Sequence, residues 1–217
     1  MNLHQIKELL KNSLEKHLTT AISSLELLPV GGGSINDTYK VIINGSKKFF
    51  LKLNSLVAFP GLFEKEKNGL EFLARQNCIR IPSIIFYETN DNCQLLLLEW
   101  IESGILNEHF WKKFGEQLAK LHTISNEHFG FPEDNYMGSL PQENTFTKDW
   151  VEFFISYRLR PQIELARNKQ LIDKNHIASF ERLSKKLDSV LDAEKPSLLH
   201  GDLWSGNFMC TDQSLPF

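Results

Sequence analysis

A histidine, a glycine and an aspartate follow a short apolar run near residue 200, and an asparagine follows the aspartate. The stretch reads LLHGDLWSGNFMC, and Asn207 stands five residues after Asp202. An aspartate in a loop after an apolar strand is held in place yet reaches solvent, so it can accept a proton from a hydroxyl. Asn207 can offer its amide oxygen to Mg²⁺, which prefers oxygen ligands, and His200 would support the loop. The alternative is a tight turn in which both residues serve only as turn formers.

An aspartate base close to an asparagine that binds Mg²⁺ is the arrangement of kinase catalytic loops, which transfer phosphoryl groups. Phosphoryl transfer also requires a cation on the α- and β-phosphates and a partner that holds this cation. Lys52 lies in the middle of the apolar stretch FFLKLN, and Glu66 lies on the helix predicted to follow it. The two leucines beside Lys52 face the opposite side of the strand, so alternation does not show which way the lysine points. Glu64 and Glu71 are rival partners for the lysine on the same helix.

Two further stretches have the composition of a nucleotide site. Gly31, Gly32, Gly33 and Ser34 would let backbone N–H groups approach a phosphate. The stretch matches neither GxxxxGK[ST] nor GxGxxG, and a flexible β-turn explains it nearly as well. The apolar run Leu96–Trp100 is either a strand and hinge that receives adenine through backbone groups or simply a core strand.

The elements that must position these residues follow from periodicity and turn signals. Ile6, Leu9, Leu10 and Leu14 recur at helical spacing in a first helix. An Asn-Gly pair between two β-rich runs predicts a tight hairpin. The predicted elements that follow the first helix are strands near Leu25–Val30, Tyr39–Ile43 and Lys48–Leu53, a helix at Leu62–Gln76, and strands within IRIPSIIFYE and CQLLLLEWI.

The chain then becomes helical. The apolar spacing predicts helices at Phe110–Ile124, Trp150–Arg167 and Ile172–Leu191, and SLLHGDL reads as a short strand that runs into the aspartate loop. We therefore expect an α+β fold with an antiparallel five-stranded sheet and an inserted helix in residues 1–103, and a mainly helical part in residues 104–217. The linker between the two parts is predicted near Trp100–Asn107.

Composition excludes several classes of protein. The 217 residues carry a net charge of −3, which does not favour a nucleic-acid partner. The three cysteines have no CxxC spacing, which argues against a disulfide framework or zinc site and fits a reducing compartment. No apolar run approaches the ~20 residues that span a bilayer, and the N-terminus does not resemble a signal peptide. We expect a soluble, cytoplasmic protein with no membrane partner.

The whole chain resembles the fructosamine (ketosamine) kinase family, a branch of the aminoglycoside-phosphotransferase-like and protein-kinase-like small-molecule kinases. The stretch HGDLWSGN carries the most specific resemblance, since the broader superfamily shares only the H-G-D and the asparagine. The other similar pieces occur in the family's order and are GGGSINDTY, FFLKLN, FEKEKNGLEFL, IRIPSIIFY, LLLLEWI, FGEQLAKLH, FGFPEDNYMGSLPQ and DWVEFFISYRLRPQIELA.

The resemblance implies a protein-kinase-like two-lobe fold and ATP-dependent phosphorylation of the sugar 3-hydroxyl of ketosamines, either small molecules or glycated proteins. It makes Asp202 the catalytic base and Asn207 a Mg²⁺ ligand. The remaining implied roles are Lys52 for the α/β-phosphates, Glu66 as its helix partner, Gly32, Gly33 and Ser34 in the phosphate-covering loop, Glu99, Trp100 and Ile101 at the adenine hinge, and Trp204 lining the sugar site.

One feature departs from the family. The resemblance implies a second metal-binding aspartate about a dozen residues after the catalytic-loop asparagine, which would fall just beyond Phe217. Asp212 follows Asn207 by only five residues, too few for the intervening hairpin. We therefore interpret the chain as truncated within the second lobe, which makes an inactive or weakly active form an expectation.

Three functions remain open from the sequence. The first is a ketosamine kinase or a fragment of one. The second is a kinase of the wider superfamily that acts on another small hydroxylated substrate, such as an amino sugar or choline. The third is a nucleotide-binding protein without catalysis, for which the missing metal-binding aspartate is the argument. The oligomeric state is left open.

Overall fold

The first half of the chain alternates one helix, three strands, a second helix and two strands. The computed structural model describes residues 3–31 and 35–217. The elements are α1 (Leu3–Leu18), β1 (Leu25–Pro29), β2 (Asp37–Ile43), β3 (Lys47–Ser55), α2 (Leu62–Arg75), β4 (Ile84–Thr89) and β5 (Cys93–Glu99). This order confirms the predicted sheet of five strands with one inserted helix.

The five strands form one antiparallel sheet in the order β1-β2-β3-β5-β4. The β2–β3 connection is the predicted hairpin, with Asn44 and Gly45 at φ 51° and 71°. Both values lie in the left-handed region, which the two-residue turn requires and which asparagine and glycine tolerate best. The turn fixes the register in which Lys52 lies opposite Thr38 and, across the next pair, opposite Leu96.

One face of the sheet is covered by α1. The buried side of this helix consists of Ile6, Leu10 and Leu14, which recur at helical spacing. They pack in one core cluster with strand residues that include Leu51 and Leu97, both fully buried. Strand side chains alternate between faces, so Lys52, next to Leu51, points to the other face. The structure thereby decides the direction that the leucine alternation left open.

A buried glutamine joins that other face to α2. Gln94 has 0% relative exposure, and its Oε1 accepts a hydrogen bond from the backbone N–H of Phe63 at 3.0 Å. Its Nε2 donates to the carbonyls of Phe59 at 2.6 Å and Ser55 at 3.3 Å. Since Gly61 precedes α2 without a capping side chain, Gln94 supplies from β5 the acceptor that a helix N-terminus needs.

The chain continues into α3 (Glu108–His122). Asn107 caps this helix, because its Oδ1 accepts from the N–H of Phe110 at 2.9 Å. The last residues fold back as a short hairpin in which Met209 and Phe217 exchange backbone hydrogen bonds of 2.8 and 3.0 Å. One compact unit comprises Met1–Ala119 together with Gly201–Phe217.

The second compact unit, Lys120–His200, contains a hairpin that the sequence did not predict. Its elements are β6 (Asn135–Met137), β7 (Leu140–Gln142), α4 (Trp150–Phe154), a π-helical turn (Ile155–Leu159), α5 (Arg160–Asn168) and α6 (Lys174–Ser184). The predicted helix Trp150–Arg167 is thus divided by a π-helical turn, a feature that hydrophobic spacing does not reveal.

Two predictions in this unit were wrong in extent. The helix predicted at Ile172–Leu191 begins only at Lys174, because the Asp173 side chain accepts from the N–H groups of Asn175 and His176 and caps it there. It ends at Ser184, and a separate 3-10 turn follows at Leu187–Ser189. The SLLHGDL stretch forms no regular strand; one isolated bridge joins Ser197 to Ser125. An apolar run becomes a strand only where a neighbouring strand pairs along its length.

No helix in the described part of the chain combines the length and the apolar character that crossing a bilayer would require.

Replacing Gln94 with leucine tests its capping role. Gln94→Leu keeps a buried side chain of similar volume but leaves the Phe63 N–H and two carbonyls unpaired, so we expect a loss of about 2–4 kcal/mol in the free energy of unfolding. Urea denaturation provides the measurement. The matched control is Gln76→Leu, whose amide donates to a carbonyl of its own helix and whose loss should stay below about 1 kcal/mol. Equal losses in the two variants would contradict the role.

Candidate active site

Lys52 and Glu66 form an ion pair on the face of the sheet opposite α1. Lys52 Nζ lies 2.6 Å from Glu66 Oε1, and their side chains are 20% and 27% exposed. The ammonium also lies 6.0 Å from the centroid of the Phe63 ring, one turn earlier on α2. Partial burial weakens solvent screening, so this pair is held more firmly than one on an open surface.

The two rival glutamates lie elsewhere. Glu71 pairs with Lys67 at 3.6 Å and with Arg75 at 3.5 Å along the helix surface. The charge of Glu64 instead acts on Tyr87, where burial first and this carboxylate second raise the pKa of the phenol. Among the described residues Glu66 is therefore the helix carboxylate that meets Lys52.

The end of β5 is fixed by ionic contacts. The carboxylate of Glu99 accepts from the backbone N–H of Ser83 at 2.9 Å and pairs with the Arg80 guanidinium. Burial by itself raises the pKa of Glu99, but the hydrogen bonds from Ser83 and the charge of Arg80 outweigh it, so the pKa lies below its ordinary value. The strand end is thereby tied to the segment between α2 and β4.

Glu99 and the two residues after it, Trp100 and Ile101, are the predicted hinge. Trp100 lies under the Lys40 ammonium, 4.2 Å from the ring centroid, and Glu102 binds Lys48 at 2.5 Å. Ile101 is nearly buried, and its backbone N–H and C=O make no hydrogen bond within the described part of the chain. Buried backbone groups are rarely left unpaired, so Ile101 offers a donor and an acceptor suited to the edge of a nucleobase.

The Asp202 loop is closed by Asn207. The Nδ2 group of Asn207 donates to the backbone oxygen of Asp202 at 2.8 Å and to its Oδ2 at 2.9 Å. A turn hydrogen bond of 2.9 Å from the Asn207 N–H to the Trp204 carbonyl brings the asparagine back. The structure thus brings together the two residues that the sequence singled out, and both are exposed.

Phe208 anchors this loop. Its ring centroid lies 4.8 Å from that of Phe114 and 6.0 Å from that of Phe110, both on α3. Beyond it, the Gly104 N–H donates to the Cys210 carbonyl at 2.7 Å. A Cβ on Gly104 would lie 1.9 Å from the carbonyl oxygen of Thr211, so glycine is needed where the hairpin meets the segment after the hinge.

Gly32, Gly33 and Ser34 lie outside the described residues. The backbone on either side of them lines a shallow pocket of about 180 Å³, formed by residues 29–31 and 36–39. The pocket is too small for a nucleotide and offers a place for at most part of one.

The fold is that of the small-molecule kinases related to protein kinases. A structure of APH(2″)-IIia with GDP and kanamycin superimposes with a TM-score of 0.51 at 18% identity, over 99% of this chain and 70% of that one. A crystal structure described as a "putative fructosamine-3-kinase" of Haemophilus somnus superimposes with a TM-score of 0.84 at 24% identity, over 96% of this chain and 69% of that one.

Sequence comparison identifies the family within this class of small-molecule kinases. The fructosamine kinase family model matches residues 6–217, so this chain belongs to the fructosamine kinase family. A protein named as a probable ketoamine kinase of Enterococcus faecium is 35% identical over 92% of this chain and 72% of its own length. A similar Synechocystis protein is 36% identical over 82% of this chain and 59% of its length. The rice chloroplastic protein-ribulosamine 3-kinase is 35% identical over 82% of this chain.

The chain spans only part of these relatives, from 72% of the first to 59% of the second and 52% of the rice protein. The comparisons agree with the resemblance drawn from HGDLWSGN and favour the ketosamine kinases over kinases of other small hydroxylated substrates.

Sequence reasoning missed three residues that hold the site. Gln94, Arg80 and Phe208 touch the predicted site residues or the elements that carry them. A lone glutamine within CQLLLLEW was the one available signal, because a polar residue inside a buried run needs partners. The contacts of Arg80 and Phe208 join segments distant in sequence, and no local pattern reports them.

The Arg80–Glu99 pair should make stability depend on pH. A carboxylate whose pKa is lowered stabilises the fold above its ordinary value of 4.5 and loses this contribution as the pH falls through the lowered pKa. Arg80→Gln should therefore reduce the free energy of unfolding at pH 7, and the difference from wild type should shrink as the pH falls below 4.5 and through the lowered pKa of Glu99. Urea denaturation across this range measures it.

The control is Arg75→Gln, because Arg75 is exposed and pairs with Glu71 only along the helix surface. This control should show a small difference with no such pH dependence. A difference for Arg80→Gln that does not shrink at any pH below 4.5 would refute the linkage to Glu99.

Proposed function

We propose that this protein is an ATP-dependent kinase that phosphorylates the sugar 3-hydroxyl of ketosamines, such as ribulosamines and fructosamines. The observation that carries the proposal is the Lys52–Glu66 pair of 2.6 Å on the sheet in a chain of the fructosamine kinase family. A lysine held by a helix carboxylate is the arrangement that positions nucleotide phosphates in kinases. The rice relative's name, protein-ribulosamine 3-kinase, supports the substrate class.

Asp202 is the proposed general base. The Asn207 amide donates to its Oδ2 at 2.9 Å, which orients the carboxylate within a loop that Phe208 anchors to α3. From there Asp202 accepts the proton of the sugar 3-hydroxyl as the hydroxyl oxygen attacks the γ-phosphorus of ATP, the bond to the β-phosphate breaks and ADP leaves. Trp204 in the same loop is the proposed sugar-lining residue.

ATP is the proposed phosphate donor. Lys52 holds the α- and β-phosphates, and Glu66 fixes the direction of the lysine. The backbone groups of Glu99, Trp100 and Ile101 receive the adenine, for which the unpaired N–H and C=O of Ile101 are suited. Gly32, Gly33 and Ser34 are proposed for the loop that covers the phosphates.

Asn207 fits Mg²⁺ in its donor chemistry. Its Nδ2 group donates to Asp202, so its amide oxygen is the ligand that it would offer to the ion. No group of three His, Cys, Asp or Glu side chains gathers anywhere in residues 3–31 or 35–217, so water and phosphate oxygens would complete the coordination, as is usual for this ion. Bound Mg²⁺ would neutralise charge on the phosphates.

Two further assignments follow from this function. Residues 1–103 would form the nucleotide-binding lobe and residues 104–217 part of the catalytic and substrate lobe. A cytoplasmic location is proposed because Cys78, Cys93 and Cys210 are buried free thiols, which suits a reducing compartment. Either a small ketosamine or a glycated protein would be the substrate.

ADP release from Mg-ATP, with and without a synthetic ribulosamine, tests the activity. We expect ribulosamine-dependent release, and Asp202→Asn should lower its rate by about 10²–10⁴-fold because the general base is lost. Asp212→Asn, in the exposed turn of the terminal hairpin, is the control and should leave the rate unchanged. Nucleotide binding without ribulosamine-dependent release would instead favour the non-catalytic function.

Nucleotide affinity tests the lysine pair separately from catalysis. Lys52→Met and Glu66→Gln should each weaken binding of a fluorescent ATP analogue by about tenfold, because the phosphates lose a fixed cation. Glu64→Gln, two residues away on the same helix, should bind the analogue as wild type does. If Glu64→Gln weakens binding as much as Glu66→Gln, the pairing with Lys52 does not serve the nucleotide.

A further inference from the structure

The Trp204 ring folds back over the chain and lies against Gly206. A Cβ built on Gly206 would come within 2.4 Å of Trp204 Cη2, 2.5 Å of Cζ2 and 2.9 Å of Cζ3. Carbon atoms in contact are separated by about 3.5–4.0 Å. Any side chain at this position therefore excludes the ring from where it lies.

Backbone conformation is not what calls for glycine here. The glycines with positive φ in the described chain include Gly201 at 87° but not Gly206. A Cβ on Gly201 would meet open space, whereas one on Gly206 would meet only the indole among its nearest atoms. The two glycines of HGDLWSGN thus serve different purposes: Gly201 permits a backbone angle, and Gly206 leaves room for a ring.

Nothing else in the described chain fixes the indole by a polar or ring contact. Within the described residues, Trp204 makes no stacking interaction with another ring and no side-chain hydrogen bond, and the residue remains half exposed at 52%. The turn hydrogen bond from the Asn207 N–H to the Trp204 carbonyl, 2.9 Å long, holds the two ends of the WSGN turn together. The six-membered ring thus lies against Gly206 while about half of the residue is open to solvent.

We propose that Gly206 is a positioning residue that seats the Trp204 indole as a fixed aromatic platform for the apolar C–H face of the ketosamine sugar. The substrate part rests on the proposed function; the seat itself does not. A ring restrained before binding loses less side-chain freedom when substrate arrives, and the platform stands two residues from Asp202, the proposed base. The sugar hydroxyl would thus be presented to the carboxylate in one orientation.

A ¹⁹F NMR spectrum of protein labelled with 5-fluorotryptophan tests the seat directly. The chain has four tryptophans, and Trp204→Phe identifies the resonance of Trp204. Gly206→Ala should move or broaden this resonance and leave those of Trp100, Trp111 and Trp150 in place, because a flexible side chain yields before the backbone does. Gly69→Ala is the matched control, since a Cβ there meets nothing within 4 Å. An unmoved Trp204 resonance in folded Gly206→Ala overturns the seat.

Substrate binding tests the platform. Titration of N-ribulosyl-glycine into wild-type protein with Mg-ATP should shift the Trp204 resonance selectively, and Gly206→Ala should weaken the ribulosamine affinity by about tenfold while ATP affinity stays within about twofold. Equal weakening for both ligands would indicate a general disturbance of the loop and overturn the platform.

A double-mutant cycle separates the ring contact from other effects of the alanine. In the Trp204→Ala background, Gly206→Ala should have no further effect on ribulosamine affinity, because the clash requires the ring. Additive losses would overturn the coupling. If the protein binds no ribulosamine while the Trp204 resonance still responds to Gly206→Ala, the proposed function and the platform are both refuted. The contact by which Gly206 seats the Trp204 ring would still be supported.

Discussion

The buried amide of Gln94 is the interaction on which the site geometry depends. From the start of β5 it caps the N-terminus of α2 and holds the carbonyls that lead into this helix. A helix end inside a protein needs such partners, and here no residue next to α2 provides one. Because α2 is fixed at this end, Glu66 comes one turn later to within 2.6 Å of Lys52. This buried polar contact thus helps to position the two charged side chains of the proposed phosphate site.

The Asp202 loop is organised by a different principle. It belongs to the same compact unit as the sheet, although Asp202 lies 101 residues after Ile101, the last residue of the predicted hinge. The ring of Phe208 holds one end in an aromatic cluster on α3, and the following hairpin pairs with the segment after the hinge through Gly104. Apolar packing supplies the anchoring, while hydrogen bonds between Asn207 and Asp202 set the shape of the loop. Apolar packing therefore fixes where the loop lies, and the hydrogen bonds fix how the Asp202 side chain is oriented within it.

Much of the fold could be predicted because its signals are local. The Asn-Gly turn, the alternation in β3 and the helical spacing of α1 lie within a few residues, and each was found where predicted. Predictions were weaker where pairing decides the outcome, as in the apolar run before His200, which had no strand beside it along its length. The sequence also did not predict the π-helical turn at Ile155–Leu159, because this turn changes the phase of a helix that remains continuous.

The sequence by itself determined which residues could do chemistry and to which family they belong, because motifs such as HGDLWSGN combine residue type with fixed spacing. Only the tertiary structure decided that Lys52 points away from α1, that Glu66 and not Glu71 meets it, and that Gly206 makes room for Trp204. Each of these depends on distances between atoms brought together by folding. Strand alternation allows Lys52 to point to either face of the sheet, and the helix carries several carboxylates that could pair with it. The elements that pack on each face decide both its direction and its partner.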